Sequence, residues 1–302
     1  MALALIITAV FVVIEIAAGL ASNSLALLTD AAHNFTDVIA LGLSAFALRL
    51  AARPASPQRT FGYHRAGILI ALLNSTTLVL IALGIFYEAF QRLIHPPQVD
   101  ALMLAGVGGI ALLVNAGTAW LTYQGSDTDL NVRSAFIHLM GDVLSTLGAA
   151  LAGLLMAFTG ALWLDPAVSA LIGVLIVYNA WQIIHEAVDI LMENTPRDLN
   201  MPALIAALEG VPGVRDVHDL HVWSINQQMR ALSAHLLIED MPVSAGAAIQ
   251  QAANDLLMRH YQIGHATLQL ECVGCEPDRL FFGGIRGERR GHRDTEEDGH
   301  SH

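Results

Sequence analysis

Six stretches of the chain run almost without charge, at about 2–21, 24–50, 65–91, 101–123, 132–158 and 162–187. A hydrocarbon core of about 30 Å takes roughly 20 apolar residues per helix, so the pattern predicts six transmembrane helices. Polar punctuation marks their ends: Ser22-Asn23-Ser24, the run from Arg53 to Arg59, His95-Pro96-Pro97, a polar segment over 124–131, and Thr159-Gly160. Pro166 suits the first turn of the sixth helix. From about Glu193 the pattern changes. Residues 201–209 read as an amphipathic helix closed by Gly210 and Pro212, 214–224 and 231–238 alternate as strands, 244–261 is helical, and 265–271 alternates again. The order αββαβ predicts a small α+β domain with its helices on one face of a sheet. The expected division is a six-helix membrane domain over 1–192, a compact polar domain over 193–281, and a disordered tail over 282–302, rich in Gly, Arg, Asp, Glu and His.

Composition agrees with a membrane protein. The chain is 54% hydrophobic and 14% charged, with a mean hydropathy of +0.53, where soluble domains carry about a quarter charged residues. The first apolar stretch follows Met1 directly, lacks a basic leader and a small-residue cleavage site, and holds Glu15. It reads as a retained span and not a signal peptide; so abrupt a start leaves room for a further N-terminal segment. Arg49, Arg53, Arg59 and Arg65 surround the connection between spans two and three, which the positive-inside bias puts in the cytoplasm. Both termini are then cytoplasmic, and the connections at Asn23, Pro96 and Gly160 face outside, with Arg92 as an exception to the bias. The formal net charge is −12 and all 15 basic residues are Arg, which argues against a nucleic-acid partner. The acidic excess of the C-terminal third either attracts cations or keeps a cytosolic domain soluble. Two cysteines make no disulfide framework.

Chemistry enters where titratable groups interrupt apolar helices. His33-Asn34-Phe35-Thr36-Asp37-Val38 in span two is echoed by His138-Leu139-Met140-Gly141-Asp142-Val143 in span five. Residues i and i+4 share a helix face, so His33 points with Asp37, and His138 with Asp142. A charge at the bilayer centre costs about 2.5–3.5 kcal/mol, and four such groups need a compensating partner. Facing helices would offer two imidazole nitrogens and two carboxylate oxygens, a tetrahedral set suited to Zn²⁺, with Cd²⁺ and Co²⁺ as alternatives. The competing reading is a His–Asp hydrogen bond within each helix that only steadies packing; two matching pairs weigh against it. Such a site admits metal only when its imidazoles are neutral and its carboxylates ionised, so metal and protons compete for it. The expectation is metal export driven by protons. Asp30, one turn before His33, either guides ions outward or solvates a helix end, and Glu15, Asn74 and Asn115 are expected in interhelical hydrogen bonds. A membrane metalloenzyme would need a motif such as H-E-x-x-H, which is absent from the sequence. A membrane-bound metal sensor without transport remains the alternative, but would not require four ligands inside the spans.

Four motifs occur in order: Leu28-Thr29-Asp30-Ala31-Ala32-His33-Asn34-Phe35-Thr36-Asp37, Arg59-Thr60-Phe61-Gly62-Tyr63-His64-Arg65-Ala66, His138-Leu139-Met140-Gly141-Asp142, and Val217-His218-Asp219-Leu220-His221-Val222-Trp223. With them nearly the whole chain resembles the cation diffusion facilitator family, its zinc-transporting branch in particular. The resemblance implies a homodimer in lipid with six spans per subunit, a cytoplasmic domain of metallochaperone-like fold, and export of metal in exchange for protons. It also implies that His33, Asp37, His138 and Asp142 form the transport site. Many relatives carry a His-rich N-terminal extension or a His-rich connection between spans four and five. Here the N-terminus is bare and residues 124–130 hold no His, which favours a prokaryotic plasma membrane and leaves His292, His300 and His302 of the tail as the substitutes.

Further ligands are expected in the polar domain. His218 and His235 fall in strands that should pair, and His265 lies an even six residues before Glu271, on the same sheet face. These four form a candidate second Zn²⁺ site, at positions that resemble metal-binding positions in relatives; His221, three residues from His218, would face the other way. His64 is either an interfacial ligand, as the resemblance implies, or a plain surface histidine. Cys272 and Cys275 are spaced for thiolate capture of Zn²⁺ but supply half a site.

Overall fold

The computed structural model describes the backbone of residues 2–123 and 130–272 and the side chains of residues 9–120 and 139–272. The connection at 124–129 and the tail, with Cys275, His292, His300 and His302, lie outside the described residues. The chain divides into two units, Met1–Met192 and Glu193–His302.

The first unit holds α1 (Ala2–Ser22), α2 (Leu25–Ala51), α3 (Ala66–Ile94), α4 (Ala101–Tyr123), α5 (Leu130–Thr159) and α6 (Leu164–Leu191). Among the described residues, five helices are long and apolar enough to cross a membrane, and the described part of α1, Ala9–Ser22, is a shorter apolar helix. The unit is turned inside out relative to a soluble domain. Phe158, Leu102 and Leu113 are 82%, 74% and 74% exposed, whereas Glu15, Asp30, His33, Asn34, Asp142 and Asp165 are buried. That distribution suits a hydrocarbon solvent, in which apolar side chains face outward and polar groups pair internally. α4 runs along α5, α3 along α6, and α1 along α2. The α4–α5 approach depends on small residues, since a Cβ on Gly153 would lie 2.6 Å from the Ala105 nitrogen.

The first turn of α2 is held by α6. Ser24 caps it, its Oγ accepting the Leu27 N–H, and the Asp165 carboxylate accepts the Ser24 hydroxyl at 2.6 Å and the N–H groups of Leu25 and Ala26 at 2.8 and 3.1 Å. These donors are among the four N–H groups that a helix start leaves open, and they also favour a negative charge. Arg92 donates to the Asn23 carbonyl at 2.7 Å and to Glu88, and its Nη1 lies 3.8 Å from Asp165. Its place at the end of α3 that the Arg bias puts outside is thus structural.

The second unit holds α7 (Met201–Glu209), β1 (Val214–Ser224), β2 (Arg230–Ile238), α8 (Val243–Tyr261) and β3 (Ile263–Cys272). The sheet order is β1-β2-β3, antiparallel between the first two strands and parallel between the last two. Leu204 and Leu208 of α7 and Ala253 and Leu257 of α8 pack with Val217, Leu220, Val222, Leu232, Leu236 and Leu268 in one core. Both helices therefore cover one sheet face and leave the other open, as the alternation of the strands implies.

Candidate metal centres

In the membrane unit, α2 brings His33 and Asp37 to one face, and α5 brings Asp142 against them. His33 Nε2 lies 3.6 Å from Asp37 Oδ2 and 3.3 Å from Asp142 Oδ1. Charge-assisted N–H···O bonds run about 2.7–2.9 Å, shorter than either separation. A tetrahedral ion with bonds of about 2.0–2.1 Å holds its ligand atoms about 3.3–3.4 Å apart, which is close to both. His33 and Asp142 are buried, while the Asp37 side chain is 31% exposed. The backbone of His138 belongs to α5, one turn before Asp142, and its side chain lies outside the described residues.

One turn before His33, Asp30 is fully buried, which excludes a role in solvating a helix end. Glu15 of α1 is equally buried and accepts a 3.1 Å bond from the Asn34 amide of α2, the interhelical role expected of it.

In the second unit, His218, His235 and Glu271 bring ligand atoms within 4.8 Å of one another on the open sheet face. The Glu271 carboxylate joins the two imidazoles, 3.0 Å from His218 Nε2 and 3.0 Å from His235 Nδ1. Burial raises the Glu271 carboxyl, but hydrogen bonds from Gln269 and His218 and the charges of His235 and His218 outweigh it and hold the group below its ordinary value. Two imidazoles and a carboxylate fit a Zn²⁺ donor set. His218 Nδ1, buried without a hydrogen-bond partner among the described residues, leaves a further nitrogen for a ligand.

The expected fourth member, His265, stands elsewhere. It does share a face with Glu271, but it pairs with Ala231 while Glu271 pairs with Leu237. Six residues at about 3.3 Å each separate the two by roughly 20 Å, and His265 is exposed. Parity was satisfied and distance was not.

Instead, the chain supplies Asp219 and His221. A register shift between His218 and His221 leaves three steps on β1 against two on β2, where His235 and Ser233 are the partners. Asp219 takes φ +48° there, a left-handed conformation that Asp tolerates better than most residues. The bulge puts Val217 and Leu220 both in the core and returns His221 to the face of His218, correcting the regular-strand expectation. Asp219 then lies 3.1 Å from His221 Nε2 and 3.5 Å from His235 Nε2. The signal was two apolar residues three apart, Val217 and Leu220, with Asp between them.

His64 is half-buried in the turn between α2 and α3, beside Tyr63, whose ring stacks under Arg59 at 4.6 Å. Cys272 is an exposed free thiol at the end of β3, opposite Ile238.

A bundle with imidazole and carboxylates in its interior, joined to a small α/β unit with a second such set, defines a metal-ion transporter of the membrane. Residues 1–192 match the cation efflux transmembrane domain, and residues 196–273 match the cytoplasmic domain of cation efflux proteins. The chain belongs to the cation efflux family, the cation diffusion facilitators that its motifs resemble. It is 38% identical over 282 residues to the zinc transporter ZitB of Pectobacterium atrosepticum, covering 92% of this chain and 87% of that one. It is 36% identical over 279 residues to the cadmium, cobalt and zinc/H(+)-K(+) antiporter of Bacillus velezensis, covering 90% and 88%. The solved metal-bound C-terminal domain of the CzcD transporter matches 24% of this chain and 99% of its own, at 25% identity and a TM-score of 0.22.

Proposed function

We propose that this protein exports Zn²⁺ from the cytoplasm in exchange for protons, with His33, Asp37, His138 and Asp142 as its transport site. The observation that carries the reading is one buried imidazole standing 3.3 and 3.6 Å from carboxylates of two different helices. Imidazole with carboxylate suits Zn²⁺ better than Mg²⁺ or Mn²⁺. The zinc named for one relative, and the cadmium, cobalt and protons named for another, support Zn²⁺ as cargo, Cd²⁺ and Co²⁺ as its competitors and H⁺ as the counter-ion. Protons reaching the site from outside displace the metal, because each ligand accepts either a proton or the ion.

The α2–α3 turn with its four Arg residues, and the cytoplasmic domain that follows α6, support an orientation with both termini in the cytoplasm of a prokaryotic cell. In the cytoplasmic domain, His218, His235 and Glu271 would hold a resident Zn²⁺ that pins β1, β2 and β3 together. The family of that domain supports a homodimer.

The experiment is zinc flux in vesicles bearing the purified protein, with pH gradients imposed in both directions. Flux should follow the gradient, zinc moving opposite to protons. Flux indifferent to the gradient sinks the exchange reading, and zinc binding without flux would make the protein a sensor.

A further inference from the structure

His33 and Asp142 line one wall of a cavity of ≈ 470 Å³ whose opposite wall is α6. Asn179, Gln182 and Glu186 of α6 line the same cavity. Steps of three and four residues keep them on one helix face, over a rise of about 10 Å. All three are exposed, on a helix of membrane-spanning length and hydropathy. An amide pair and a carboxylate find no solvation in hydrocarbon, and such side chains in a membrane face water or one another. At about 30 Å³ per water, the cavity holds on the order of fifteen waters, enough for a hydrated ion. No Arg lines it, so its charged walls are carboxylates. The stripe runs toward Leu191, the end of α6 that leads into the cytoplasmic domain.

Taking His33 and Asp142 as transport ligands, as the proposed function does, we propose that Asn179, Gln182 and Glu186 are the loading face for the cytoplasmic divalent cation. Glu186 captures the hydrated ion, and the amide oxygens of Gln182 and Asn179 exchange for its waters on the way inward. Oxygen donors hold Zn²⁺ less firmly than imidazole does, so the ion passes from this face to His33. A cleft of one charge sign also concentrates counter-ions and speeds their arrival by about 10- to 1000-fold.

The test is zinc flux by the full chain in vesicles, read as KM and maximal rate. Glu186→Gln should raise KM about tenfold with the maximal rate near wild type, Glu186→Asp should restore most of the loss, and Gln182→Leu should raise KM by narrowing the wet path. The gap between Glu186→Gln and wild type should shrink as ionic strength rises, because salt screens an exposed charge. An unchanged KM, or a fall in maximal rate alone, overturns the proposal. So does a change of oligomeric state with KM unaltered, which would make the stripe a subunit contact. Asp142→Ala run beside these variants tests the transport site separately: flux surviving there removes that site, while the Glu186 comparison still reports on loading.

Discussion

The buried Asp165 carboxylate at the start of α6 accepts the Ser24 hydroxyl at 2.6 Å and so closes the first turn of α2 from a position 141 residues away. Two further N–H groups of that turn use the same carboxylate. His33 and Asp37 lie on the helix that this contact fixes. Asp165→Ala would leave three buried donors open, at about 1–3 kcal/mol each. The expected outcome is a lower thermal midpoint of the purified protein and reduced zinc flux, with Asp165→Asn intermediate because it keeps one acceptor oxygen. A midpoint equal to wild type contradicts the anchoring role.

The bulge at Asp219 gives a second prediction. Glycine adopts φ +48° without strain, so Asp219→Gly should preserve the sheet while removing the carboxylate between His221 and His235. Asp219→Val puts a β-branched residue in that conformation at a cost of about 1–3 kcal/mol. Thermal denaturation and metal stoichiometry separate the two: Gly should affect metal content first, Val stability first.

Much of this was legible before any coordinates. Six apolar runs of bilayer length announced the bundle, because hydrocarbon leaves a helix few other lengths. Alternation in 214–224 and 231–238 announced the strands, and His33, Asp37 and Asp142 stood out as titratable groups in apolar surroundings. Asp165 did not stand out, because its value depends on a partner 141 residues distant. His265 was chosen by parity, which fixes a face but not a distance along the strand. His221 was rejected by parity, and one residue at positive φ reverses parity for everything beyond it.

Acid should act on the metal-free cytoplasmic cluster in a defined direction. The Glu271 carboxyl is held below its ordinary value of 4.5, so its contribution to stability is complete above that value and is lost as pH falls through the depressed one. Wild type should therefore be more stable than Glu271→Gln at about pH 6, with the difference fading toward about pH 3. A difference that grows on acidification contradicts the assignment of Glu271 as the ion that joins the two imidazoles.

Zinc binding should release protons. In weakly buffered solution, adding Zn²⁺ to the metal-free protein should acidify the medium, and affinity should fall as pH is lowered from about 8 to about 6, where histidine ordinarily becomes charged. Isothermal titration in buffers of different ionisation enthalpy counts those protons. A binding heat independent of the buffer removes the proton competition on which exchange depends.

The most direct test of the transport site is zinc flux and bound zinc for wild type beside Asp142→Ala, in the same vesicles under an imposed pH gradient. The expected result is gradient-driven flux in wild type, none above background in the variant, and zinc retained by the variant at the His218–His235–Glu271 cluster. Undiminished flux in Asp142→Ala would contradict a transport site built around His33 and Asp142.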